Sequence, residues 1–352
     1  MSYRNKNALI TGGLGFIGSN LAIRLVAAGA RVTIVDSSVP GCGANPYNIE
    51  PVRQQVKVIP HPICEPAEFS DEIRTSDVIF NLAGEISHVH SMDFPERDMQ
   101  INAVAQLQFL EACRNLAPGV RIVYASTRQV YGVPRYLPVD ESHPVNPIDF
   151  NGVHKYAATT YHLLYSSLGE IDAVAMRLTN VYGPRMALNV PCQGFLSTFL
   201  RRLLRGEPLE VFGDGQQLRD PLYVDDAVEA FLRAGEATPL LSRIYNVGGP
   251  APITLLEIAQ SASRVAGGGT VRTRPFPEPQ KAIDIGSYYT DSSRIRAELG
   301  WEPEVRFEEG IGRTLAYYRK ELVQYLDPAS PYPACSMPEH GGVRRRLTFA
   351  TV

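Results

Sequence analysis

From residue 7 onward, short apolar runs alternate with longer stretches whose apolar residues recur three and four apart. NALIT (7–11), RVTIVD (31–36), VKVIP (56–60), DVIFNLAG (77–84), RIVYAS (121–126) and DAVAMRLTN (172–180) read as strands. They are continuous rather than alternating in character, as expected of parallel strands buried on both faces. Between them, SNLAIRLVAAGA, MQINAVAQLQFLEACRNL and HKYAATTYHLLYSSLG carry helical periodicity. Strand and helix in alternation predict an α/β chain with a Rossmann-type doubly wound parallel sheet over residues 1–180. After about residue 185 the pieces become shorter and richer in Pro and Gly. Residues 181–326 are therefore expected to form mainly a smaller C-terminal substrate-binding lobe, with segments near 220–250 returning to the sheet domain. The last stretch, 327–352, has no amphipathic period and reads as a loosely structured tail.

Composition narrows the function classes. The 352 residues, 44% of them hydrophobic, suffice for a large core in one or two domains. A net charge of −3 and a pI near 6.2 disfavour a nucleic-acid polymer or an anionic membrane as partner. Cys42, Cys64, Cys113, Cys192 and Cys335 are scattered, without a C-x-x-C pair, so neither a disulfide framework nor a metal site is expected. No signal-peptide profile or membrane-length apolar run is present, and a cytoplasmic location is the expectation.

The first strand–turn–helix carries the clearest chemistry. GGLGFIG (12–18) follows the first strand, and the second strand ends in Asp36. Gly12, Gly15 and Gly18 allow a tight turn and a close approach to a pyrophosphate at the helix N-terminus. A carboxylate at Asp36 accepts from a ribose diol and repels a 2′-phosphate, which favours NAD over NADP.

These segments together resemble an extended short-chain dehydrogenase/reductase of the nucleotide-sugar epimerase/dehydratase family. TGGLGFIGSN, NLAGEISHVHSM, YASTRQVYG, RLTNVYGPR, VFGDGQQLRDPLYVDD, YNVGG and YYTDSSRIRAELGW match the family's motifs in order, from Ala8 to about Lys320. The resemblance implies further NAD contacts at Phe16, Ile17, Ile63, Leu82, Ala83, Gly84, Asn102 and Lys155. It implies a nucleoside diphosphate sugar as substrate, met by Ser87, Thr127, Asn180, Arg219, Lys281 and Asp284. It also implies a homodimer joined through the helices near 100–115 and 154–168, with no metal.

Three departures from the family pattern bear on the reaction. In PIDFNGVHKYAATTY (147–161) the family's catalytic tyrosine, four residues before Lys155, is replaced by Asn151, which cannot exchange a proton near neutral pH. His88 and His90 are candidate substitutes; His154 flanks Asn151 on the same helix, and Tyr156 should point elsewhere. The Asp-Glu pair that serves elimination in the family's 4,6-dehydratases is here Arg128 and Gln129, which cannot shuttle protons as carboxyls do. His61-Pro62 replaces a Gly-Asp beside the adenine. The expected activity is an NAD-dependent epimerase, at C4, that oxidises a sugar transiently and returns the hydride, using an atypical acid–base set of Thr127, Asn151, Lys155 and His88 or His90. The alternatives are a dehydratase, a decarboxylase, a non-C4 epimerase, or a non-catalytic dinucleotide-binding protein.

Overall fold

The computed structural model describes residues 3–39, 42–190, 194–277, 281 and 283–326. The tail from Asp327 lies outside the described residues, as does Cys192. Six strands in chain order, β1 (Asn7–Thr11), β2 (Arg31–Val35), β3 (Val56–Ile59), β4 (Val78–Asn81), β5 (Arg121–Thr127) and β6 (Asp172–Leu178), join one parallel sheet. A seventh, Ile244–Val247, pairs with β6 after a long excursion through the lobe. The spatial order is β3-β2-β1-β4-β5-β6 followed by that last strand. The order reverses between β1 and β4, and in such sheets ligands bind in the crevice at that reversal.

Alternation along the strands divides the core in two. Ala8 and Ile10 of β1, with Val78 and Phe80 of β4, face α1 (Phe16–Ala27) and the later helix Val224–Glu236. Leu9 and Ile79, the residues between them, face the other way, where Phe109, Leu110 and Tyr165 close the second layer. The period-2 geometry of a strand requires this split, and both faces need helices to cover them.

Three helices carry residues to the C-terminal edge of the sheet. After α2 (Ser70–Thr75) and β4, α3 (His88–Asp93) begins at the Ser87 N-cap, whose hydroxyl accepts from His90 N–H at 3.1 Å. The expected helix over 99–116 is regular only from Ala105 to Leu116; Gln100–Val104 forms a π-helical turn. That turn buries Asn102, whose amide accepts from Glu85 N–H at 3.1 Å and donates to Glu85 C=O at 3.0 Å. The long helix Phe150–Ser167 starts where Asp149 caps it, accepting from Gly152 N–H at 2.7 Å.

The lobe is built from small pieces. Leu209–Phe212 pairs parallel with Val271–Arg274, and Leu218–Arg219 pairs antiparallel with Ile253–Thr254. Val181–Tyr182 lies beside Leu222–Tyr223, which ties the exit of β6 to the lobe. Among the described residues, no helix is long and apolar enough to cross a membrane.

Behind β4 a fully buried polar chain sets a pH limit. Thr11 Oγ1 donates to Asn81 Oδ1 at 2.7 Å, and the Asn81 amide donates to Gln106 Oε1 at 2.7 Å and meets His162 Nε2 at 3.1 Å. His162 Nδ1 faces the Ala158 carbonyl at 2.8 Å, so Nδ1 carries the proton and Nε2 accepts. Only the neutral ring fits. Burial lowers its pKa from 6.5 to about 4. The unfolded chain binds this proton near the ordinary value, so the stabilisation is full above 6.5 and is lost as pH falls towards 4. Urea midpoints are expected to fall through that window and to fall less steeply in His162→Gln. Equal slopes for the two proteins would show that this histidine does not set the acid limb.

Candidate active site

A cavity of about 770 Å³ opens at the C-terminal ends of β1 and β4, where the strand order reverses. Its cofactor end is made largely of backbone. Gly12 has φ +69°, and a Cβ there would lie 2.9 Å from the Leu82 and Ala83 backbone, so the turn requires glycine. Gly15 is the N-cap of α1 and has no side chain to occupy the first-turn N–H groups, which leaves them available to an anion. Gly12, Gly15, Phe16, Ile17 and Gly18 line the cavity on this side. Asp36 Oδ2 accepts from Leu14 N–H at 2.9 Å and Oδ1 from Ser38 N–H at 2.8 Å. Burial raises its pKa, against those two N–H groups. Asp36 lines the cavity, and each oxygen keeps capacity to accept a further hydrogen bond, as a ribose diol needs.

Ile63, Leu82, Ala83 and Gly84 also face the cavity. His61, paired with Glu65 Oε2 at 3.2 Å, stands at its outer end with Pro62. Asn102 stands one layer behind, holding the backbone of Glu85 and thereby the turn after Gly84. A Cβ on Gly84 would come within 2.5 Å of Lys155 Nζ, so glycine is what lets this lysine reach forward. The glycine cradle, the open helix terminus and the doubly anchored Asp36 fit a dinucleotide with an unmodified adenosine ribose.

Lys155 and Asn151 come from the first turns of the long helix. The Lys155 ammonium lies 5.5 Å from the centre of the Tyr124 ring. Burial lowers its pKa to about 8, opposed by the Asp98 carboxylate. Asn151 is 1% exposed, and its polar groups on three sides are committed. Its backbone N–H donates to Ser91 Oγ at 3.1 Å, and its amide donates to Glu85 C=O and to Asp98 Oδ2, both at 2.8 Å. The other oxygen of Asp98 meets His154 Nδ1 at 2.8 Å. Asp98 was not singled out in the sequence, because one acid within PERDMQIN looks like any helix-surface charge. It is 1% exposed, and the Asn151 amide is one of the two groups that make its burial tolerable.

The two candidate histidines part company. His90 Nδ1 meets Glu85 Oε1 at 3.1 Å, its side chain is 41% exposed, and it lies outside the cavity wall. Glu85 also pairs with Arg97 at 3.3 Å, so His90 belongs to a cluster flanking the site. His88 lies on the cavity wall with Nδ1 2.7 Å from the Gln129 amide. Burial, with Arg128 and Arg219 nearby, lowers its pKa to about 4. The Gln129 atom facing it is Nε2, which donates to Nδ1 as placed; the other orientation of the same amide puts its oxygen there, and the proton on Nδ1 then leaves Nε2 as the basic nitrogen. Thr127 lines the same wall, and its Oγ1 accepts from Gln129 N–H at 3.2 Å, leaving its O–H to donate. Tyr156 is exposed on the outer side of the helix.

Towards the lobe, Asn180 lines the cavity with its side-chain oxygen buried and without a hydrogen-bond partner. Arg219 is buried just beyond the wall and donates to the carbonyls of Leu218 at 2.8 Å and Gly286 at 2.5 Å. Asp284 stands 3.8 Å from it and accepts from Gln217 at 2.9 Å. Burial and the neighbouring Arg128 lower the Arg219 pKa to about 10. Ser87 serves as the α3 cap rather than as part of the wall, and Lys281 is exposed at the lobe surface. Among the described residues, no group of three or more His, Cys, Asp or Glu is arranged to hold a metal ion.

Comparison with known proteins places this geometry. The NAD dependent epimerase/dehydratase family model matches residues 8–248. A UDP-glucose 4-epimerase of Mycolicibacterium smegmatis is 34% identical over 322 residues, covering 89% of this chain and 98% of that one. UDP-glucuronic acid decarboxylase 1 of Xenopus tropicalis is 31% identical over 345 residues, covering 93% and 76%. The structure of MoeE5 in complex with UDP-glucuronic acid and NAD superposes with a TM-score of 0.78 at 26% identity, covering 90% of this chain and 99% of that one. The protein is an NAD-dependent enzyme of the nucleotide-sugar epimerase/dehydratase family, which is the family to which this chain belongs.

Proposed function

We propose that this enzyme epimerises a nucleoside diphosphate sugar at C4, with His88 as the proton acceptor in place of the family's tyrosine. The observation that carries the reading is the contrast between two side chains. Both amide N–H groups of Asn151 are engaged in holding Glu85 and Asp98 and the amide cannot exchange a proton, whereas His88 is a neutral imidazole on the same cavity wall, oriented by Gln129. Gly12, Gly15, Asp36 and Lys155 would hold NAD, which supplies a hydride acceptor that can return the hydride to the opposite face of the sugar carbon. Thr127 donates to the reacting hydroxyl, and with the Gln129 oxygen turned to Nδ1, His88 Nε2 takes its proton. Asn180 and Arg219 take the diphosphate, through amide and guanidinium N–H groups.

His88 becomes a stronger base when an anion binds beside it. Part of its lowered proton affinity comes from Arg128 and Arg219. A bound diphosphate offsets the Arg219 charge and makes the imidazolium less costly at the step that creates it. Arg128 and Gln129 leave no carboxyl pair beside Thr127 to move water out of the sugar, which favours redox-neutral epimerisation over elimination.

His88→Ala is expected to lower turnover by about 10²–10⁴-fold while NAD stays bound. Asn151→Tyr should be less stable than wild type and no faster, because it removes a donor from buried Asp98. A single-turnover assay in deuterium oxide separates the reaction classes. C4 epimerisation leaves every sugar carbon unlabelled, whereas label beside C4 would move the reaction to elimination or to epimerisation at C3 or C5. If His88→Ala keeps full activity, or Asn151→Tyr creates activity that wild type lacks, the relocated base is wrong.

Cofactor choice has its own test. Asp36, with both oxygens already taking backbone N–H groups, should bind NAD more tightly than NADP by at least about tenfold, the scale of one unit-charge contact. Calorimetry with both cofactors decides it, and equal or tighter binding of NADP would remove Asp36 from the role.

The outer faces of Ala105–Leu116 and Phe150–Ser167 expose Leu107, Val153, Tyr156 and Leu164. We propose that these residues pair two copies of the chain. Light scattering at micromolar concentration should give a dimer, and Leu107→Glu with Leu164→Glu should give a folded monomer.

A further inference from the structure

Arg128 sits on the cavity wall between Thr127 and Gln129, and opposite His88. Its guanidinium carbon lies 4.9 Å from the centre of the Tyr288 ring, and Tyr288 is itself buried. Stacking on that face fixes the plane of the guanidinium while leaving its N–H edge unused. Among the described residues it has neither a hydrogen-bond nor an ion-pair partner.

The carboxylates nearest to it are committed elsewhere. Asp149 caps the long helix through Gly152 N–H. Asp220 accepts from Thr179 Oγ1 at 2.6 Å and from Thr290 N–H at 3.0 Å. Asp284 is bonded to Gln217 and lies nearer Arg219. An enclosed guanidinium that lacks an acceptor, with a second one close enough to repel it, is costly unless an anion joins them.

We infer that Arg128 selects a sugar that carries a carboxylate, so that the preferred substrate is a nucleoside diphosphate hexuronic acid rather than the uncharged hexose; this rests on the nucleotide-sugar reading above. The diphosphate already has Asn180 and Arg219. Arg128 instead adjoins Thr127, the residue at the reacting hydroxyl, and one residue of chain, about 3.8 Å, separates their Cα atoms. The planar fork with a free edge matches a planar carboxylate through two parallel N–H···O bonds, a match that a hexose hydroxymethyl group cannot supply.

Calorimetry on the full chain with NAD tests this with six probes: UDP, UDP-glucose, UDP-glucuronate, GDP, GDP-mannose and GDP-mannuronate. In the nucleotide series that binds, wild type should take the hexuronate about tenfold or more tighter than the hexose, as expected for a charge-assisted pair. Arg128→Met should abolish that preference and leave binding of the free nucleoside diphosphate intact, while Arg128→Lys should retain part of it. Arg219→Ala should weaken all three members of the series alike. Loss of the free diphosphate in Arg128→Met would assign Arg128 to the phosphates and overturn the inference, as would a wild type indifferent to the carboxylate. If no member of either series binds wild type, the nucleotide-sugar reading itself fails and takes this inference with it.

Discussion

The parallel pairing of β1 with β4 is the constraint from which the site follows. β2 and β3 extend the sheet from one side of β1, and β5, β6 and the last strand extend it from the other, so the chain must leave the C-terminal ends of β1 and β4 in opposite directions. The two departing loops cannot close over the gap between them. One becomes the glycine turn into α1, and the other the Leu82–Gly84 turn into α3. Their closest approach, Gly12 against Leu82 and Ala83, leaves no room for a Cβ. Because both walls are backbone, the cavity offers N–H groups and a helix terminus before any side chain is considered, and it offers them to an anion.

The second constraint is electrostatic. Asp98 is buried between two helices, and a carboxylate there is tolerable only with donors on both oxygens. Asn151 and His154, three residues apart on one face of the long helix, supply them. Replacing a tyrosine by asparagine thus does more than delete a phenol. It adds an N–H donor that ties α4 (Pro95–Met99) to the long helix and grips the carbonyl of Glu85, one residue beyond Gly84. Lys155, one turn further along, reaches past Gly84 under the field of the same Asp98. Asn151 is thus a brace for the loop that shapes the site.

The sheet and the cofactor loop were legible in the sequence because each rests on local signals. Apolar runs of strand length, glycines at fixed spacing and an acid at the end of β2 have the same meaning wherever the surrounding chain goes. Helix regularity was less legible. The π turn at Gln100–Val104 depends on Asn102 bonding both backbone groups of Glu85, a contact across 17 residues that no periodicity records. The acid–base question was legible only as a vacancy. His88 and His90 are equivalent in the sequence, and they separate because a short helix turns one into the cavity and the other towards Glu85 and solvent. Asp98, which decides what Asn151 does, was invisible for the same reason: its partners come from another helix 53 and 56 residues away.

The charges in the cavity work as a set. Arg128, Arg219 and Lys155 bring three cations to this space; Asp284 pairs with Arg219 and Asp98 acts on Lys155, whereas Arg128 feels Asp149, Asp220 and Asp284 only through their field, with no carboxylate bonded to its fork. Burial first, and the two arginines after it, hold His88 in its neutral form. On the proposed reading, an anionic substrate offsets their repulsion and adds attraction, so the imidazole gains proton affinity when the hydroxyl it would deprotonate is beside it. Tyrosine needs the reverse treatment, a nearby cation to lower its pKa, and Lys155 serves that end in the family's usual arrangement. With histidine as the acceptor, a permanently cationic site would suppress the base. The second arginine is therefore compatible with this chemistry only if the ligand brings a charge to meet it, and that couples the identity of the base to the charge of the sugar.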